Sequence, residues 1–242
     1  MIEVKNIKKG FGEKLVLKGV DATFKPGECS LIIGRSGAGK TVLMKTIVGL
    51  ERADEGEVLY NGENIYDLDE IEIGKLRRRV GMLFQNSALF DSMTVFENVL
   101  FPLQMFSKAK ASERRKRAAE CLRRVQLKDA KCKYPGEISG GMKKRAAIAR
   151  AIALRPDFLF CDEPTSGLDP ETSKVIDQLL HEITVQDNIT TIVNTHDMQS
   201  VANIGDHVIF INNGKVWWEG KNDEIEQADD EILKNFVFIS KL

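Results

Sequence analysis

Gly34-Arg35-Ser36-Gly37-Ala38-Gly39-Lys40-Thr41 follows an apolar run that ends at Ile33 and precedes a stretch with helical character. A strand, a glycine-rich loop and a helix in that order form the setting of a phosphate-binding loop. Gly34, Gly37 and Gly39 let the backbone amides of the loop, those of Ser36 and Ala38 included, curl around phosphate oxygens. Lys40 supplies a point charge to the outer phosphates and Thr41 a hydroxyl ligand for Mg²⁺, while the N-terminus of the next helix adds its dipole. The competing reading, a plain strand-to-helix turn, weakens with each partner found further along the chain.

The first partner is Phe158-Leu159-Phe160-Cys161-Asp162-Glu163, a continuous apolar run ending in two carboxylates. Runs without alternation belong to strands covered on both faces, and the edge where such strands end is where α/β sheets bind ligands. Asp162 is placed to hold hydrated Mg²⁺, and Glu163, one residue beyond the strand, to face an attacking water as general base. Thr190 to Val193 is a second such run, and His196 lies just past it, positioned to donate a hydrogen bond to a terminal phosphate. Gln85, directly after the apolar run Val80 to Phe84, can orient a water or touch the metal. These residues point to ATP, Mg²⁺ and attack of water on the γ-phosphate, with Glu163, His196, Gln85 and Lys40 in catalytic roles and Thr41, Gln85 and Asp162 on the metal.

Ser139-Gly140-Gly141 opens an alanine-rich helix running toward Leu154, a second glycine-bearing helix N-terminus suited to an anion. One chain thus carries two phosphate sites. Either two ligands bind, or the loops lie on opposite edges and a single ATP is clamped between two chains.

Around these motifs the chain has 242 residues, 43% hydrophobic and 29% charged, with a formal net charge of -1. That is ordinary globular composition, and it carries none of the basic bias with which proteins capture nucleic-acid backbones. No apolar run approaches the ~18 residues of a membrane span, and the N-terminus lacks the pattern of a cleaved signal, so a cytosolic protein is expected. Cys29, Cys121, Cys132 and Cys161 have no metal-binding or redox spacing and are expected to be reduced.

Short strands are expected before Ile33, a hairpin at Asn61-Gly62, and a closing hairpin around Asn213-Gly214. From Thr94 to about Arg155 the pattern turns helical, starting with the capping box Thr94-Val95-Phe96-Glu97. Within it, Ser112 to Leu127 sets Ala118, Leu122 and Val125 on one face and Arg114, Arg115, Arg117, Arg123 and Arg124 largely elsewhere: a solvated basic face, or one attracted to anionic lipid headgroups. The expectation is an α/β domain with a mostly parallel core sheet, an antiparallel β piece at the N-terminal side, and an inserted helical subdomain. Residues 1–85 and 156–228 form the nucleotide-binding core, 86–155 the insert, and 229–242 an apolar tail that docks on the chain's own sheet or on a dimer partner.

With Gly34 to Thr41, Gln85, Ile138-Ser139-Gly140-Gly141-Met142, Leu159 to Glu163, Ser166-Gly167-Leu168-Asp169 and His196 in this order, the chain resembles the nucleotide-binding subunits of ABC transporters over nearly its whole length. The resemblance implies a P-loop ATPase that works as a homodimer, in which Ser139, Gly140 and Gly141 of one chain complete the ATP site of the other. It implies further that Phe11 stacks on adenine, that Asp169 communicates across the dimer, and that 90–106 receives a membrane permease at the cytoplasmic side of the inner membrane. The exposed apolar character of Phe90, Met93, Phe101, Met105 and Phe106 suits such a socket, with about half of these residues expected in the subdomain's own core. Met142 replaces the glutamine usual in the signature and cannot donate its side-chain hydrogen bonds. Together with Phe84 to Val99 it looks like the ATPase of the Mla-type phospholipid transport system, which works with a permease, a lipid-binding MCE protein and an accessory subunit. A different cargo (nutrient, lipoprotein or cell-division complex) and a soluble ABC ATPase acting on DNA or ribosomes are the alternatives.

Overall fold

The protein is described by a computed structural model covering residues 1–240, so the last two residues of the expected 229–242 tail, and the side chains of Ile239 and Ser240, lie outside the described part. Chain order begins with β1 (Ile2–Phe11), β2 (Lys14–Phe24), β3 (Cys29–Ile33), α1 (Lys40–Val48), β4 (Glu55–Tyr60), β5 (Glu63–Asn64), α2 (Glu70–Arg78) and β6 (Val80–Leu83). Three helices follow: α3 (Val95–Phe106), α4 (Ala111–Arg124) and α5 (Gly140–Ala151). The rest is β7 (Phe158–Asp162), α6 (Pro170–Asp187), β8 (Thr190–Asn194), α7 (Met198–Ile204), β9 (His207–Asn212), β10 (Lys215–Gly220) and α8 (Glu231–Ser240).

Two sheets result. One is antiparallel, in the order β2-β1-β4-β5; the other runs β10-β9-β3-β8-β7-β6 and is parallel except for β10, which pairs antiparallel with β9. The unbroken apolar strands owe their composition to burial on both faces. Cys29, Leu31 and Ile33 of β3, with Leu159 and Cys161 of β7, join one core against α3 to α8. Ile32, Phe158 and Phe160 point the other way, into a second core with Leu43, Met44 and Ile47 of α1 and the inner face of the antiparallel sheet. Cys29, Cys121, Cys132 and Cys161 are all free thiols, with Cys132 alone exposed.

The helical segment starts as its sequence dictates: Thr94 and Glu97 form the reciprocal capping box. Asn98, one turn on, is fully buried. It accepts from the Phe90 amide at 2.8 Å and donates to the carbonyls of Phe90, Met93 and Thr94 at 3.0–3.1 Å, fixing the loop ahead of α3. On α4, Ala118 and Leu122 are buried, as is Val125 just beyond it. Its arginines are not one solvated stripe, however. Arg117 turns inward to donate to the Ile152 and Ala153 carbonyls at the end of α5, at 2.9 and 3.1 Å, and Arg124 bonds Asp187 at 2.6 Å. The long arginine stems make this cheap, since they pack while the head finds carbonyls or a carboxylate.

Two short helices, α2 and α7, have no counterpart in the expectations. α2 buries no residue fully, so the apolar periodicity that betrays a helix is weak there, although Asp69 and Glu72 form a complete capping box. The tail docks on the chain's own sheet, one of the two expected outcomes. Leu233, Phe236 and Val237 are buried, with the Phe236 ring 5.0 Å from that of Phe210 on β9. Asp230 fastens the start of α8, accepting from the Leu233 amide at 2.7 Å and from the Trp217 indole at 2.9 Å.

Where α6 meets α7, Asp177 is almost wholly buried, accepts from the Asn203 amide at 3.1 Å, and leaves Oδ1 without a partner. Burial, with a minor push from Asp197, raises its pKa to about 6 against the hydrogen bonds of Asn203 and Ser200. A carboxyl whose folded pKa is raised costs nothing below its unfolded pKa. The cost grows as pH rises toward the folded value and is complete above it. Asp177→Asn is therefore expected to gain stability over the wild type as pH rises from 5 to 8, by on the order of 2–3 kcal/mol at the top. Urea unfolding at the two pH values checks this, and a pH-independent difference contradicts it.

Candidate functional site

Parallel strands that share a sheet end together, and here four of them end at one cleft. Gly34 and its loop follow β3, Gln85 follows β6, Asp162 ends β7 with Glu163 just beyond it, and His196 follows β8. The cleft, about 800 Å³, is lined by Gly34 to Gly37, Gly39 to Val42, Gln85, Asp162, Glu163 and His196, with Val16 and Phe236 at its sides.

The loop is built for an anion. Gly39, at the N-cap of α1, takes φ 109°, a left-handed conformation that side chains resist, and it offers no cap acceptor to the first-turn amides. Nor does that turn contain an acid, so those amides and the helix dipole are directed to the cleft. Lys40 is buried with its ammonium donating to the carbonyl of Gly34 at 2.7 Å and, more weakly, of Arg35 at 3.4 Å. Burial lowers its pKa below the ordinary lysine range, and the nearby Glu163 and Asp162 carboxylates counteract this.

The opposite wall is acidic. Asp162 accepts a hydrogen bond from the buried Asn194 amide at 3.1 Å, which fixes its orientation. The Thr41 hydroxyl, the Gln85 amide oxygen and the Asp162 carboxylate are all hard oxygen donors around one cleft. That donor set suits Mg²⁺, which is held by one or two carboxylates together with substrate phosphates. Glu163 sits at φ 49°, unusual for a residue with a side chain, and its amide donates to the Asn194 carbonyl at 2.9 Å. Its carboxylate meets His196 Nδ1 at 2.9 Å.

That pair was not foreseen, since the two residues stand 33 positions apart, beyond the ends of different strands. It also constrains the expected role of His196. With Nδ1–H given to Glu163, the neutral ring has only a lone pair at Nε2, so donation to a phosphate from that nitrogen requires the imidazolium or release of Glu163.

Four expected contributors stand elsewhere. Ser139 and Gly140 are exposed and Gly141 is buried at the start of α5, none of them lining this cleft. Ser139 caps α5 by accepting from the Met142 amide at 3.3 Å, and a Cβ on Gly141 would lie 2.4 Å from the Thr172 methyl, so α5 and α6 approach too closely for any side chain there. Phe11, expected on adenine, projects exposed from the tip of β1 with the Lys9 ammonium 5.3 Å from its ring and is not among the residues lining the cleft, where Val16, Val42 and Phe236 supply the apolar surface. Ala38 packs against the second core and does not line the cleft, and its amide, expected to face a phosphate, donates within the loop to the Arg35 carbonyl at 3.1 Å. Val16, Val42 and Phe236 carried no motif by which the sequence could announce them, and Arg35 lies within the loop motif without a role assigned to it.

Comparison with known proteins agrees with this geometry. Residues 17–166 match the family model described as ABC transporter. The chain is 46% identical over 221 residues to the methionine import ATP-binding protein MetN of Rhizobium johnstonii, spanning 91% of this chain and 61% of that protein. It is 44% identical to MetN of Clostridioides difficile, spanning 98% and 74%. A third relative is the probable ribonucleotide transport ATP-binding protein mkl of Mycobacterium leprae, 36% identical across 98% of this chain and 68% of that one. Among solved structures, the dimeric post-hydrolysis state of the ATP-binding cassette MJ0796 bound to ADP and Pi superposes with a TM-score of 0.83 at 37% identity, covering 92% of this chain and 99% of the other. CbiO1 from Clostridium perfringens, part of the transporter complex cbiONQ, gives 0.87 at 31% identity, covering 99% and 96%. With the phosphate loop, the acidic strand end and these matches in agreement, the chain belongs to the ABC transporter family, as one of its ATP-binding ATPase chains.

Proposed function

We propose that this chain hydrolyses ATP as one of two identical subunits seated on a membrane permease at the cytoplasmic side of the inner membrane, and that ATP-driven closure of the pair moves the permease. The observation that carries the reading is the convergence of Lys40, Asp162, Glu163 and His196 on one cleft while Ser139 to Gly141, the second anion-binding helix start, lies outside it. Each ATP would then be held by the loop of one chain and Ser139-Gly140-Gly141 of the other. A relative solved as a dimer with ADP and Pi supports the pairing.

In this mechanism the loop amides and Lys40 would hold the β- and γ-phosphates, and Thr41, Gln85 and Asp162 would hold a Mg²⁺ that, when bound, would neutralise phosphate charge. Glu163 accepts the proton of the attacking water, and its strained backbone and its partner His196 fix where the carboxylate points. His196, once turned or protonated, faces the γ-phosphate. Phosphoryl transfer depends on such positioning and charge stabilisation more than on covalent chemistry.

The permease socket is assigned to 90–106. Phe90, Met105 and Phe106 are exposed, and Met93 and Phe101 are half-buried, so none of the five fills the subdomain's core as about half were expected to; Val95, Val99, Leu100 and Leu103 do that instead. Phe90 and Phe101 stack edge to face, centroids 5.0 Å apart, and present an apolar shelf. For cargo we propose phospholipid, carried with an MCE protein and an accessory subunit, on the strength of Met142 and the run Phe84 to Val99. The relatives named for methionine import favour a second reading, a small-solute importer. Purifying the native complex in detergent separates them: co-eluting phospholipid and an MCE protein fit the first, and retained methionine fits the second.

Glu163→Gln is expected to bind ATP normally and lose turnover by about 10²–10⁴-fold. Lys40→Ala should lose both binding and turnover, and wild-type rates in Glu163→Gln contradict the base assignment. Ser139→Ala should cost about 1 kcal/mol of stability through the lost cap. Because Ser139 lies outside the chain's own cleft, nucleotide affinity of the isolated chain is expected to stay unchanged, and a matching fall in affinity contradicts the shared site.

A further inference from the structure

Lys144 is buried on α5, and both of its hydrogen-bond acceptors are main-chain carbonyls: that of Gln85 at 2.6 Å and that of Glu163 at 3.0 Å. A buried ammonium is costly, and an apolar residue would fill the same space at less cost. What the ammonium adds is geometry. It joins the end of β6 and the end of β7, 78 residues apart in sequence, to one turn of α5, and so fixes the backbone of the residue that carries the base and of the residue that reaches toward metal and water.

The same helix begins at Ser139 and Gly140, exposed and outside the chain's own cleft. Lys144 follows Gly141 by three residues, about 4.5 Å along the axis. One rigid turn therefore separates the helix end turned outward from the side chain that holds the chain's own catalytic edge. Arg150, later on α5, repeats the link by donating to the Ala88 and Ser87 carbonyls at 2.6 and 2.8 Å, so the helix is tied twice to the segment after β6. Burial lowers the Lys144 pKa, and Cys161, Glu163 and Asp162 counteract this.

We propose that Lys144 is a positioning residue that couples the two ATP sites of the dimer, transmitting the seating of α5 on the partner's nucleotide to the Gln85 and Glu163 backbones of its own site. This rests on the shared-ATP reading above. Lys144 does not line the cleft itself; it sets the separation between two residues that do.

The test compares wild type, Lys144→Met and Lys144→Arg in the full chain, measuring ATP turnover against ATP concentration and, separately, the affinity for a fluorescent ADP. Lys144→Met is expected to keep ADP affinity within about threefold, to lose at least tenfold in kcat, and to lose the cooperative dependence of rate on ATP, since a misplacement near 1 Å costs about 10²-fold. Lys144→Arg, which restores the donors, is expected to recover most of kcat. Turnover of Lys144→Met within about twofold of wild type, or loss of ADP affinity in step with kcat, overturns the proposal, the latter by showing a merely structural role. Should Lys144→Met fail to fold, Lys144→Gln, with two N–H donors on a shorter stem, carries the same comparison. Failure of the ATPase reading itself is distinct, because wild type would then show no turnover at all.

Discussion

Everything at the cleft depends on parallel pairing in a sheet buried on both faces. β3, β6, β7 and β8 run the same way, so the residues that follow them emerge at one edge without any sequence proximity. Register makes this exact to the residue: Ile32 stands beside Asn194, and Asp162 beside the same Asn194. That asparagine, fully buried, then holds both carboxylate residues at the end of β7, donating from its side chain to Asp162 and accepting through its carbonyl from the Glu163 amide. A one-residue slip of β8 would turn it to the other face and take the orientation of both carboxylates with it.

On this frame the protein concentrates cationic donors and carboxylates at close quarters. Lys40 and Lys144 are both buried and both satisfied by carbonyls rather than by ion pairs, which leaves Asp162 free of a lysine partner and Glu163 free of any but His196. A salt bridge across the cleft would have neutralised the groups that ATP and water need. The carbonyl-bound ammonium keeps its positive charge available at a cost in desolvation that the surrounding cores absorb. The second helix start, at Ser139, lies outside the cleft on the same helix that Lys144 anchors, and in the proposed dimer it would complete the site of the other chain.

Much of this was legible in the residues. The two unbroken apolar runs at Phe158 and Thr190 gave away doubly covered strands, Asn61-Gly62 and Asn213-Gly214 gave the hairpins, and Thr94 with Glu97 gave the start of α3. Hidden were the features that exist only between distant residues. Lys144 in the sequence is one cation in Met142-Lys143-Lys144-Arg145, and nothing there separates it from its exposed-looking neighbours; only folding puts it under two carbonyls. The same is true of the Glu163–His196 contact, of Val16 and Phe236 lining the cleft, and of Arg117 and Arg124 leaving a face that composition alone had made uniform. α2 was missed for a different reason, since its capping box at Asp69 was visible but no buried periodicity supported it.

The central claim is that the catalytic unit is two chains, each completing the other's site. Mixing Lys40→Ala chains with Ser139→Ala chains tests it most directly. Each variant alone would form dimers with two defective sites, whereas a mixed dimer concentrates both defects in one site and leaves the other whole. ATP turnover that reappears on mixing is the predicted result. Turnover equal to the average of the two separate variants would contradict the shared site.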